Sequence, residues 1–404
     1  MWYIIVIQFS QHKFKMSLIV RSKLIIVVAL TLVNCATTQT AFNLKKIEKD
    51  RVLKATKLYL HTEPITITNS TCERSAGTPH DFYSEGDYWW PDVLHPEGPY
   101  IRKDGMTNPD NFTAHREALI RFSQISGALA SAYILTHNRK YADELVRHLR
   151  AWFIDEKTKM NPNLLYAQAV KGVATGRGIG IIDTIHLIEV VKAIQAIEAS
   201  SALSKAGLTT IQSWFSSYLH WLTTHEYGIA ERDNGNNHSV CWTMQVAAFA
   251  DFTQNNSMMD FCRAFYKNTL LPNQMAANGS FPLELQRTKP YGYSIFNLDV
   301  MANLCQILST KKENVFAFTT PDGKNLALGL QFLEPYIQDK TQWPYQQDVM
   351  YWDQWPVRQS SLLFGGLALQ NKKYLKLWQS LNADFTSPEI IRNMPMRYPL
   401  LWVK

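Results

Sequence analysis

Cysteine is scarce. Five occur in 404 residues (Cys35, Cys72, Cys241, Cys262 and Cys305), with no CxxC pair and no Cys/His spacing of a zinc site, so no structural metal is expected. Cys241 and Cys262 lie in strongly apolar surroundings, where a buried free thiol is the ordinary fate. An exporting compartment permits a disulfide, but no pairing follows from the sequence. Long apolar runs are also missing. The run in residues 22–34 (SKLIIVVALTLVN) is about a dozen residues and too short to span a bilayer. Strand-like alternation is rare and no repeat of constant length recurs, which disfavours β architectures and regular solenoids. Nor does charge of one sign dominate. Lys and Arg number 41 against 34 Asp and Glu, a net +7. Four of those cations (Lys13, Lys15, Arg21, Lys23) fall in the first 36 residues, which hold no acid, and removing them leaves +3. Without a basic block the chain is not read as binding nucleic acid, while a local cationic cleft for an acidic ligand stays compatible.

What is present forms cores: 46% apolar, 12% aromatic and 19% charged residues describe a globular chain. Arg21 and Lys23 flank an apolar run that ends near small residues, the layout of a secretory signal peptide. Residues 1–36 are therefore expected to be a signal peptide and 37–404 a single domain, exported to the periplasm, cell surface or medium. Met16, just before SLIVRSK, is an alternative start that makes the first fifteen residues an upstream extension. LVNC, at Leu32 to Cys35, loosely matches a lipoprotein cleavage box and keeps a lipid anchor at Cys35 open.

Residues 72–112 are rich in Pro, Gly, Asp and aromatics without a sustained period, and read as a long ordered loop of the kind that carries binding residues. Helical spacing follows: Ala118, Phe122, Ile125, Leu129 and Ala132 lie on one stripe, and Trp242, Val246 and Phe249 on another. Similar stretches cover about 139–153, 182–199, 205–225, 257–270, 293–309 and 358–371, separated by short Gly, Pro or Asn breaks. An all-α chain of this kind packs as antiparallel helical hairpins in a bundle, a solenoid or a closed ring. From about residue 372 the prolines Pro388, Pro395 and Pro399 mark a C-terminal cap.

Four segments carry candidate chemistry. In DNGNNHSVCW, Asp233 to Trp242, a polar turn enters an apolar helix. Asn237 and His238 then sit at a helix N-terminus, where free N–H groups and the dipole favour an anion. Ordinary capping is the plain alternative, but Asn236, Asn237 and His238 together exceed what a cap needs. In PLELQRTKPYGYSIFNL, Pro282 to Leu298, Arg287, Lys289, Tyr291 and Tyr293 form a cation and phenol cluster; an Arg287–Glu284 salt bridge with buried tyrosines is the alternative. The glycines of KGVATGRGIGIID, Lys171 to Asp183, match neither a P-loop nor a dinucleotide fingerprint, because no strand leads into them. Gly176, Gly178 and Gly180 suit close backbone packing, with Gln168 and Arg177 as polar contacts to a ligand. Tyr88, Trp89 and Trp90, with Tyr351, Trp352 and Trp355, suit stacking on sugar faces, although burial is the commoner fate of tryptophan.

A uronic acid polymer would use all of these. Removing the proton beside its carboxylate builds charge on a group already negative. An enzyme must neutralise that carboxylate, take the proton with an imidazole or phenolate, and protonate the departing glycosidic oxygen. Asn237, Arg287, His238 and Tyr293 match these needs. With DYWWPD (Asp87 to Asp92), PYIRKDG (Pro99 to Gly105), YAQAVKGVATGRGIGIID (Tyr166 to Asp183), NNHS (Asn236 to Ser239) and ELQRTKPYGYSIFNL (Glu284 to Leu298), the chain from about 80 to 370 resembles the alginate lyase superfamily of polysaccharide lyases. The similarity is greatest to its alginate and glucuronan lyase-like branch. The resemblance implies an all-α (α/α) toroid, an incomplete barrel of antiparallel hairpins, that cleaves an acidic polysaccharide by β-elimination without a metal or other cofactor. It further implies that Asn237 neutralises the carboxylate, that His238 is the catalytic histidine, and that Arg287 and Tyr293 are the family's arginine and tyrosine acid. Trp89, Trp90, Gln168, Arg177, Tyr291 and Trp352 are the candidate substrate contacts. Two other readings stay open: a glycoside hydrolase using two of Asp87, Asp92, Asp233 and Glu284, and a glycan-binding protein without turnover.

Overall fold

The computed structural model describes residues 42–403; the leader segment and Cys35 lie outside the described residues. Helices dominate, and they alternate between two layers. The inner layer is Ala114–Thr136, Leu187–Ile197, Asn237–Phe252, Pro290–Leu308 and Ser360–Ala368, and each of these packs on the next. The outer layer includes Arg139–Phe153, Lys205–Thr224, Asn256–Phe265, Leu326–Gln338 and Lys372–Ser380. The chain is thus an all-α (α/α) toroid.

Sequence decides which layer a helix joins. Asn237–Phe252 buries every residue except His238 and Asp251, the state of a helix that is apolar on all sides. Arg139–Phe153 instead buries a stripe including Ala142, Leu145, Leu149, Trp152 and Phe153 while Arg139, Lys140 and Asp143 face solvent, so it covers the inner layer from outside. An aromatic seam joins the two: Phe122 stacks on Trp152 at 4.8 Å, Phe153 meets Phe215 at 5.2 Å, and Phe215 meets Phe249 at 5.0 Å. Ala114–Thr136 is long and apolar enough to cross a membrane, but 72% of its apolar window is buried inside the protein, as in a core helix.

The loop before the first inner helix is tied down by two short pairings. Tyr83–Glu85 runs parallel to Tyr166–Ala169, and Trp89–Trp90 runs antiparallel to Ile101–Arg102. The C-terminal stretch also reaches the site: Lys372–Ser380 packs on Ser360–Ala368, and Pro388–Arg392 carries Arg392 to the cavity described below. Cys72, Cys241, Cys262 and Cys305 are all free thiols.

Candidate active site

A cavity of about 340 Å³, within the size range of small-ligand sites, gathers residues from the long loop, the inner helices and the C-terminal stretch. Three parts of the chain build it. The first is the start of the Asn237–Phe252 helix. Asn236 is its N-cap, the side chain accepting the His238 N–H at 3.0 Å, which leaves Asn237 and His238 in the first turn facing the cavity. Two buried carboxylates hold them. Glu284 accepts the backbone N–H of Asn237 at 2.8 Å and its Nδ2–H at 2.9 Å. Glu231 meets His238 Nδ1 at 2.7 Å, which directs Nε2 away from that contact. Burial pushes both carboxyls upward, while His238 beside Glu231 and the Asn237 donors beside Glu284 pull the other way.

The second part is the turn into Pro290–Leu308. Arg287 is bound to Asp104 through Nη2 at 3.0 Å and Nε at 3.2 Å, and the same Nη2 lies 3.3 Å from the Tyr293 hydroxyl. Its guanidinium also lies 4.4 Å from the Tyr293 ring centroid. The alternative Arg287–Glu284 bridge gives way to this pairing with Asp104. Burial works against ionisation of Asp104, but Arg287 and then Arg102 override it and hold the carboxyl down to about 2. The Tyr293 hydroxyl shares a 2.6 Å hydrogen bond with Tyr88. Burial, with Tyr88 adding to it and Arg287 opposing, pushes the Tyr293 phenol well up, so it carries its proton.

The third part comprises the long loop, Tyr166–Ala169 and the turn after it, which supply Trp89, Arg102, Gln168 and Arg177. Gly176 allows this arrangement: a Cβ there would collide with the Leu165 carbonyl. Beneath it lies a buried ionic chain in which Asp87 is held by Arg116 at 2.8 Å and by Arg392 at 2.9 Å. Arg392 also binds Glu389, which takes Lys289 at 2.6 Å.

Asn237, His238, Arg287, Tyr293, Trp89, Gln168 and Arg177 therefore line one cavity. Three expected substrate contacts do not. Tyr291 is fully buried, donates its hydroxyl to the Tyr336 carbonyl at 2.9 Å and packs on Trp343; two residues from Tyr293 on a helix, it must point to a different side. Trp352 packs on Tyr291 and under Lys340. Trp90 donates Nε1–H to the Met106 carbonyl and lies under Lys103. Sequence reasoning gave Asp104, Glu231, Arg102 and Arg392 no part in the site. Asp104 and Arg102 had a local signal, their place in the PYIRKDG motif; Glu231 and Arg392 had none.

The carboxylates offered for hydrolysis disperse. Asp92 binds His95, exposed Asp233 binds Arg232, and Glu284 lies behind Asn237. Only Asp87 of the four lines the cavity, and it is held ionised between arginines. Among the described residues, no group of three or more His, Cys, Asp or Glu side chains is placed to hold a metal ion.

A toroid whose cavity gathers guanidinium, amide, imidazole and phenol groups defines a polysaccharide lyase acting on uronate polymers. The chain belongs to the alginate lyase family, whose profile matches residues 66–343. It is similar to an alginate lyase from Bacteroides ovatus, with 30% identity and a TM-score of 0.76, over 89% of this chain and 93% of that one. Alginate lyase A1-III from Sphingomonas species A1 shares the fold at 14% identity and a TM-score of 0.51, over 87% of this chain and 94% of that one. A variant of A1-III complexed with tetrasaccharide aligns at 13% identity and a TM-score of 0.53, over 88% of this chain and 94% of that one. Comparison with curated proteins returns no match.

Proposed function

We propose that the protein depolymerises alginate or a glucuronan-like polyuronate, with Asn237 and Arg287 on the substrate carboxylate, His238 as base and Tyr293 as acid. His238 Nε2 takes the proton from the carbon bearing the carboxylate. That electron pair forms the ring double bond as the neighbouring C–O bond breaks, and the Tyr293 phenol protonates the departing oxygen. Exchange with solvent returns both groups to their starting states. The observation carrying the reading is the 3.3 Å contact of Arg287 with the Tyr293 hydroxyl in the cavity that Asn237 and His238 share. It sets a carboxylate-binding cation beside a proton donor.

The test is incubation with a panel of polyuronates in the presence of a chelator. New ends should absorb in the ultraviolet as a double bond conjugated to the carboxylate. Products heavier by one water without that absorbance would establish hydrolysis; binding without turnover would establish a glycan-binding protein.

A second assignment rests on the same geometry, a guanidinium 3.3 Å from the Tyr293 hydroxyl that stabilises a phenolate once one forms: Tyr293 as both base and acid, with His238 neutralising the carboxylate. His238→Ala assayed on substrates of opposite stereochemistry at the reacting carbon separates the two. Loss on one stereoisomer supports a base, and equal loss on both a neutraliser. The apolar leader further supports export, which fractionation of a native host would test.

A further inference from the structure

Four guanidiniums line the cavity, and three of them already have a carboxylate. Arg287 and Arg102 share Asp104, and Arg392 lies between Asp87 and Glu389. Arg177 differs. Its Nε donates to the Gln168 carbonyl at 2.8 Å and its Nη2 reaches the Gln168 side-chain oxygen at 3.4 Å, both neutral acceptors. No acid of the described residues forms a salt bridge with it, and burial, then the Arg102 charge, outweigh the pull of Asp87 and Asp183 and work against its ionisation. A half-buried cation in this state gains from an incoming anion what its neighbours gain from Asp or Glu.

Its surroundings are built for a sugar. The guanidinium lies 5.5 Å from the centroid of the Trp89 ring, and both border the cavity. Gly86 makes room for the pair, since a Cβ there would come within 2.6 Å of Arg177 Nη2 and of the Trp89 ring. Gln168 orients the guanidinium from behind, itself held by Asp183 at 3.4 Å. The hydrogen bonds and ring contact of Arg177 go to Gln168 and Trp89, whereas Arg287 and Tyr293 bond each other and Asn237 and His238 are held by Glu284 and Glu231.

We propose that Arg177, stacked on Trp89, binds the carboxylate of a second uronate next to the one undergoing elimination, and so selects contiguous uronates over polymers in which uronate alternates with a neutral or amino sugar. This rests on the lyase reading above. The bidentate guanidinium supplies charge and direction while the indole supplies a face for the ring.

The experiment uses one polyuronate that the wild-type protein cleaves, together with samples of it in which a graded fraction of carboxylates has been reduced to hydroxymethyl groups. Elimination always needs the reacting carboxylate. With a second one read by Arg177, initial rates at low substrate should fall as the square of the fraction remaining, and Arg177→Gln should fall only in direct proportion. On the unmodified polymer, Arg177→Gln should raise KM by about 10-fold or more with kcat little changed, and Arg177→Lys should recover part of the loss. Unfolding curves check that each variant is folded, while the reduced-polymer series needs only wild-type protein. Wild-type rates that fall in direct proportion would overturn this inference and leave the lyase reading standing. A wild-type protein that forms no unsaturated product from any polyuronate would remove both.

Discussion

One oxygen separates tyrosine from phenylalanine, and at position 293 that oxygen meets Tyr88 at 2.6 Å and Arg287 at 3.3 Å. Tyr293→Phe leaves the ring under Arg287 and removes the proton donor. If the phenol protonates the leaving oxygen, kcat falls by about 10²-fold or more with little change in substrate binding; a folded, fully active variant would refute the role. Glu231 acts one step further back. Its carboxylate accepts Nδ1–H of His238 when ionised, so the Nε2 lone pair is free to take a proton. Glu231→Gln keeps the shape but can donate its amide to Nδ1, which moves the imidazole proton to Nε2. With His238 as base, kcat should drop by about 10²-fold or more while KM holds, and single-turnover kinetics on the folded variant would show it. A variant with wild-type kcat would mean that the tautomer does not matter and would favour His238 as neutraliser.

At the scale of elements, the first turn of Asn237–Phe252 is the scaffold of the site. Asn236 caps it, and its carbonyl accepts from Gln274 at 2.9 Å. Asn236→Ala should destabilise the protein by about 1 kcal/mol, read from the denaturant midpoint, and should lower activity further because the same turn carries Asn237 and His238. The helix start is legible in the sequence because a polar turn runs straight into an apolar stripe. The stripes themselves are legible for the same reason: Ala118 to Ala132 on one helix, and Trp242, Val246 and Phe249 on another, are buried. The positions of Trp352 and Trp90 are not, since tryptophans on loops stack equally well on ligand or on neighbours. Asp104 on Arg287 spans 183 positions and Asp87 on Arg392 spans 305, so no local pattern announces them. Tyr291 is different: its two-residue offset from Tyr293 on a helix already sends one of the pair away from the cleft.

At the scale of the whole molecule, two buried carboxyl groups join distant parts of the ring and make stability depend on pH. Glu189, on Leu187–Ile197, accepts the backbone N–H groups of Arg397 at 2.9 Å and Tyr398 at 2.7 Å. Asp299, on Pro290–Leu308, accepts the N–H of Ser361 at 2.9 Å. Burial pushes each up to about 7, from ordinary values of 4.5 and 3.8, against the pull of those hydrogen bonds. Between the ordinary value and about 7, the folded protein keeps the proton that the unfolded chain has lost. Folding takes up protons there, so this contribution to stability is full at acidic pH and falls as pH rises to about 7, where it levels off. Asp104, held down to about 2, acts in the opposite sense, losing its contribution only as pH falls below its ordinary 3.8 toward about 2. Asp299→Asn separates the two effects. The amide keeps an oxygen for the Ser361 N–H and cannot ionise, and any constant cost of burying its NH2 cancels when one variant is compared with itself at two pH values. Its melting temperature relative to wild type should therefore rise from about pH 5 to about pH 8. Differential scanning calorimetry at both values checks this, and a difference that stays constant would show that Asp299 is ionised in the folded protein throughout.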